Sequence, residues 1–127
     1  MKTQRQITGR RGEDAACSLL QGMGHTILMR NWRNAHREID IISRKDDGIH
    51  FVEVKTRRAP AAEEPAYNVN YAKQQRMVRA ARAWLRNGSC SGEQGNVEIF
   101  FDIVSVLLLG EEPRLEYYPQ AFIPLYV

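Results

Sequence analysis

REIDIISR (residues 37–44), KDDG (45–48) and IHFVEVKTR (49–57) run consecutively, and their reading decides the fold. Both outer segments are strand-length and rich in β-branched and aromatic residues, and the middle one is a turn signal, so the spacing predicts a β-hairpin. Side chains alternate along a strand, which puts Glu38, Asp40 and Ile42 on one face of the first strand and Glu53 and Lys55 on one face of the second. With Asp46-Asp47 as the two-residue turn, Asp40 falls opposite Glu53. With Asp47-Gly48 as the turn, it falls opposite Lys55. Both registers put Asp40, Glu53 and Lys55 on one face, whereas a three-residue loop without a bulge would separate them.

Working outward from the hairpin, residues 7–23 carry Ala15, Ala16, Leu19, Leu20 and Met23 at helical spacing. Thr8 is the expected cap, and Gly22 and Gly24 the stop. Residues 25–33 read as a strand. After the hairpin, residues 59–70 form a Pro- and Ala-rich loop, a second helix covers 72–86, and Asn87-Gly88-Ser89 ends it. VEIFFDIVSVLLL (97–109) is almost continuously apolar, as suits a strand covered on both faces. A short strand near 115–118 and the apolar tail AFIPLYV (121–127) follow. The order α-β-β-β-α-β, plus a weak extra strand, predicts one mixed α/β domain over residues 1–127, a central sheet flanked by helices.

The 127 residues are 43% hydrophobic and 26% charged, ordinary values for a globular domain, with a net charge of +3 and a pI near 9.1. That is a mild lean toward a polyanionic partner. Cys17 and Cys90 make no C-x-x-C pair and His25, His36 and His50 are scattered, which argues against zinc and for a reducing, cytoplasmic setting. The polar N-terminus is no signal peptide, and no apolar run is long enough for a membrane span.

Carboxylates directly opposed across two strands have Cβ atoms about 4.5–5.5 Å apart. At that distance they repel, and one is pushed toward protonation unless a cation intervenes. Mg²⁺ suits such a place, because it takes one or two carboxylates and fills its octahedron with water and substrate phosphate. A bound water would be acidified, and Lys55 could orient it or stabilise the charge that builds up. Glu13 shares a helical face with Ala16, Leu20 and Met23, so it either turns into the acidic site or uses the first helical turn to reach solvent. Both placements stay open. On the second helix Lys73, Arg76 and Arg79, with Arg82 or Arg86, form a basic stripe, opposite Met77, Val78, Ala81, Trp84 and Leu85. Such a stripe is ordinarily a solvated face, but Arg57 and Arg58 extend it toward Lys55 and make a phosphate-binding surface an equal alternative. Asp102, inside FFDIVSV, either pairs structurally or approaches the site. Trp32 and Trp84 read as packing residues.

GRRGEDAA, NWRNAHREIDII, FVEVKTR, YAKQQRM and FFDIV, in that order from Gly9 to Phe122, resemble the YraN-like family of bacterial proteins. That family is similar to archaeal Holliday-junction resolvases and to the restriction-endonuclease-like PD-(D/E)XK nucleases. The resemblance implies a restriction-endonuclease-like core and a metal site of Glu13, Asp40, Glu53 and the Val54 carbonyl, with Lys55 as the catalytic lysine beside Asp40 and Glu53. It implies Mg²⁺, with Mn²⁺ as a substitute, a DNA partner and, by the resolvase likeness, a homodimer. Lys73 and Gln74 match a Lys-Gln pair of the family that supports the site or contacts substrate. Asn31 and Arg33 match its N-x-R. Arg37 stands where the family usually has glycine, and it either narrows the site or adds a phosphate contact.

Two other functions fit the same residues. A non-catalytic nucleic-acid-binding module would need Arg57, Arg58 and the basic helix but not Asp40. A protein-interaction subunit would use the apolar tail.

Overall fold

The computed structural model describes residues 2–58, 69–87 and 97–124. Helix α1 (Gln4–Gly22) is followed by strands β1 (Thr26–Asn34), β2 (Arg37–Lys45) and β3 (Gly48–Arg58), helix α2 (Tyr71–Arg86), and strands β4 (Ile99–Leu109) and β5 (Glu112–Phe122). The five strands form one sheet in the order β1-β2-β3-β4-β5. All neighbours are antiparallel except β3 and β4, which run parallel. A parallel pair needs a crossover, and α2 lies within the one that joins β3 to β4.

The hairpin turns at Asp46-Asp47, with Lys45 opposite Gly48 and Ile41 opposite Val52. Of the two even-loop registers, this is the one that would set Asp40 opposite Glu53, but the ladder stops one pair short of them. Gly48 is required where it stands: its φ is +144°, and a Cβ would lie 2.3 Å from the Glu98 carbonyl oxygen.

Alternation along the strands builds two cores. Ile42, Ile49, Phe51 and Phe101 face Met77, Val78, Ala81 and Trp84 of α2. Ile41, Val52, Val104 and Val106 face Ala16, Cys17 and Leu20 of α1. Each large apolar side chain taken out of water contributes about 1.5–3 kcal/mol, so the near-continuous apolar run of β4 follows from cover on both faces.

The structure corrects several boundaries. Helix α1 starts at Gln4 because Thr3, not Thr8, caps it: its hydroxyl accepts the Gln6 N–H, and the Gln6 side chain accepts the Thr3 N–H in return. Met23 closes the helix and is 39% exposed, so it does not join the packing face. The expected short strand is a full edge strand of 11 residues paired along β4. Its end carries Phe122 into the α2-side core, so the apolar tail is core at Phe122, while Ile123 is exposed. The long loop over 59–68, the second loop, Cys90 and residues 125–127 of the tail lie outside the described residues. No helix among the described residues is long and apolar enough to cross a membrane.

Candidate active site

The site forms where β2 and β3 part company. Their ladder ends at Ile41 and Val52, while β2 continues along β1 and β3 along β4. The Val54 N–H still points toward β2, and the Asp40 carboxylate receives it, Oδ2 to N at 2.8 Å. Burial pushes the Asp40 carboxyl up to about 6. The charges of Glu53 and Glu13 push the same way, against the Val54 N–H and Lys73. Glu53 and Glu13 thus each lie within electrostatic reach of Asp40.

Glu13 is delivered from α1. The helix can lie close to β3 because residue 12 is glycine: a Cβ there would fall 1.8 Å from Thr56 Oγ1. One residue on, Glu13 turns inward, with its side chain 17% exposed, and lines a cleft of about 560 Å³ with Asp40, Val54 and Thr56. This decides between its two placements. It also accepts from Asn31 Nδ2 at 2.7 Å. Asn31 has φ 52°, a left-handed conformation that asparagine tolerates better than most residues. The twist interrupts alternation in β1, so consecutive Arg30 and Asn31 both reach α1, and Arg30 bonds Asp14 Oδ1 at 2.6 Å.

Glu53 turns toward the other layer, where Lys73 Nζ of α2 lies 2.9 Å from its Oε1. Lys73 is therefore the counter-ion of Glu53 and does not extend the arginine stripe. Neighbouring Gln74 donates to the Val69 carbonyl and secures the approach to α2. Lys55 is half-buried, and alternation puts it on the Glu53 side of the sheet, away from Thr56. Arg57 and Arg58 line the cleft with Asp40, and Arg58 Nε donates to Thr8 Oγ1. Arg76 and Arg79 are exposed on α2 and line neither this cleft nor its neighbour. Arg33 pairs with Glu38 at 3.6 Å in solvent, and Arg37 is exposed at the start of β2.

Asp102 does not approach the site. It is fully buried and accepts from His50 Nδ1 at 2.6 Å, the Tyr117 hydroxyl at 2.5 Å and the Gln120 N–H at 2.9 Å. Sequence reasoning missed Arg5, Arg10 and Arg30 as cleft residues, and of these Arg10 alone carried a signal, the GRRG run (9–12) inside a helix.

Among the described residues no three carboxylate, His or Cys side chains are gathered into a ready-made metal cage. The donors nonetheless fit a hard cation. They are carboxylate oxygens, a protein lysine already supplies positive charge at Glu53, and Mg²⁺ needs only one or two carboxylates beside water.

Fold and site define a mixed α/β protein with helices on both faces of a five-stranded sheet and a carboxylate-lined cleft where two strands separate. The chain belongs to the family described as Uncharacterised protein family UPF0102, which matches residues 12–106. A UPF0102 protein of Nitratidesulfovibrio vulgaris (strain Hildenborough) is 42% identical over 122 residues, covering 96% of this chain and 88% of that protein. Relatives from Rhodococcus opacus (37% identical; 90% of this chain, 94% of the relative) and Myxococcus xanthus (34% identical; 94% and 91%) are similar over nearly their whole lengths.

Proposed function

We propose that this protein hydrolyses phosphodiester bonds of DNA, with a divalent cation held by Asp40 and Glu53. The observation that carries the reading is Asp40 at the strand separation, lining with Glu13 a cleft that Arg57 and Arg58 also line and lying within reach of the charge of Glu53. A carboxyl raised to about 6 by burial and by the charges of two further carboxylates favours a cation beside it. Mg²⁺, with Mn²⁺ as a substitute, would supply an acidified water and neutralise charge on the phosphate. Asp40 is held in place by the Val54 N–H, which leaves its other oxygen for a ligand. Glu53 exchanges Lys73 for the cation or shares it. Glu13 and the Val54 carbonyl complete the oxygen-rich wall. Lys55 stabilises the developing charge from the Glu53 side of the sheet, and the arginines hold flanking phosphates.

The test uses labelled single-stranded, duplex and four-way-junction DNA with Mg²⁺, Mn²⁺ or EDTA. The parent should cut in metal only. Asp40→Asn should lose about 100-fold or more of that rate while keeping its DNA affinity in EDTA. The Glu53–Lys73 pair, satisfied without metal, favours a second reading as a binding module. A parent that binds DNA and cuts with neither metal would establish that reading instead.

A further inference from the structure

Helix α1 contains three glycines, and two of them have evident reasons. Gly22 ends the helix, and Gly12 makes room for Thr56. Gly9 has neither reason. It sits well inside the helix, where glycine is less favourable than alanine, and a Cβ built on it meets no atom within 4 Å. Nothing described in the protein forbids a side chain there.

What surrounds Gly9 supplies a reason. Two clefts, of about 560 and 550 Å³, meet at Gly9 and Glu13. Arg5, Arg57 and Arg58 line the first, and Arg10, Arg30 and Arg33 line the second. Among the described residues the two clefts themselves are lined by two carboxylates, Glu13 and Asp40, while Asp14 pairs with Arg30 and Glu38 with Arg33 at their margin. Arg5, Gly9 and Glu13 recur at intervals of four, so they lie along one helical face, and Gly9 stands one turn, about 5.4 Å, before Glu13. The bare helix backbone at Gly9 is thus a low saddle between two cationic clefts, one turn from the acidic site.

We infer that a phosphodiester backbone crosses the protein over Gly9, with phosphates in the two arginine-lined clefts, and does not follow the arginine stripe of α2. This rests on the nucleic-acid reading above and gives it a path. The α2 stripe is the weaker track, because its leading cation Lys73 is bound to Glu53 and its exposed Arg76 and Arg79 line neither cleft.

Fluorescence anisotropy in EDTA, with a short labelled single strand and its duplex, reads binding without cutting. Gly9→Leu should weaken binding by an order of magnitude while melting as a folded protein. Gly9→Ala should melt about 3–6 °C higher than the parent, as expected for an unobstructed mid-helix glycine. Arg10→Gln should weaken binding and reduce the salt slope by about 1, whereas Arg114→Gln, an equal loss of charge on β5, should stay within twofold. Gly9→Leu within twofold of a binding parent, or a greater loss from Arg79→Gln than from Arg10→Gln, overturns the path and leaves the hydrolysis reading standing. A parent that binds neither DNA overturns both. A parent that cuts nothing with either metal, yet loses affinity on Gly9→Leu, keeps the path and overturns hydrolysis.

Discussion

Asp40 carries a charge at a place that disfavours it. Burial and two neighbouring carboxylates raise its pKa to about 6, so the folded protein holds a proton there more tightly than the unfolded chain. Stability from this group is therefore lost as pH rises from about 4 through 6, the reverse of a salt-bridged aspartate. Asparagine keeps an oxygen for the Val54 N–H and removes the charge. In EDTA at about pH 7.5, Asp40→Asn should be more stable than the parent by about 1–3 kcal/mol, the gap closing toward about pH 4. Adding Mn²⁺ should raise the melting temperature of the parent and leave that of Asp40→Asn unchanged. Urea or thermal melts across that pH range check both; a less stable Asp40→Asn in EDTA would contradict this account of the site.

Among the elements, α1 does most to build the site, and its seating depends on the absence of one methyl group. Gly12→Ala would force its Cβ into Thr56 Oγ1, and overpacking of this kind costs about 1–3 kcal/mol. The shift also moves Glu13 away from Asp40. Gly12→Ala should therefore destabilise the protein in chemical denaturation, and Thr56→Ala in the same chain should recover part of the loss. Complete rescue is not expected, because the Thr56 Cβ itself would lie 2.8 Å from the added atom. The contrast with Gly9, where alanine should stabilise, separates a glycine required by packing from one that packing does not require.

Across the whole molecule, a buried polar network links four strands of the sheet and the residue that leads into β1. His25, just before β1, meets Ser43 of β2 at 2.9 Å. His50 of β3 bonds Asp102 of β4 through Nδ1 and Asp47 in the hairpin turn through Nε2 at 2.8 Å. Tyr117 and the Gln120 N–H of β5 complete the shell of Asp102. Burial alone would lower the His50 pKa, but the bonds to Asp102 and Asp47 outweigh it and the pKa is raised. His25, 4.7 Å away ring to ring, is lowered by its burial and by His50. A raised histidine stabilises fully below its unfolded value, about 6.5, and loses that contribution as pH rises through the folded value. The parent should thus exceed His50→Gln in melting temperature most at about pH 5.5, the margin shrinking toward about pH 8.5. His25 works in the opposite direction but is present in both proteins. A margin that stays flat or grows with pH would mean that His50 is neutral in the fold.

Much of this was legible in the chain because short-range rules encode it. The turn signal KDDG with strand-length runs on both sides determined the hairpin and narrowed its register to two, and helical spacing put Glu13 on the face of Ala16 and Leu20 but left open whether it turned to the site or to solvent. The apolar run at β4 announced cover on both sides. The tertiary structure decided whatever depends on groups distant in sequence. It decided that Lys73 answers Glu53 across the layers, that Asp102 belongs to His50 and Tyr117, and that a left-handed Asn31 brings β1 to Glu13. It also made a full edge strand of a segment with weak alternation, because β4 supplied the hydrogen-bonding partner. The physical reason is the same in each case. Alternation and capping are set by neighbours within a few residues, whereas a buried charge takes whichever partner the packed backbone brings within reach.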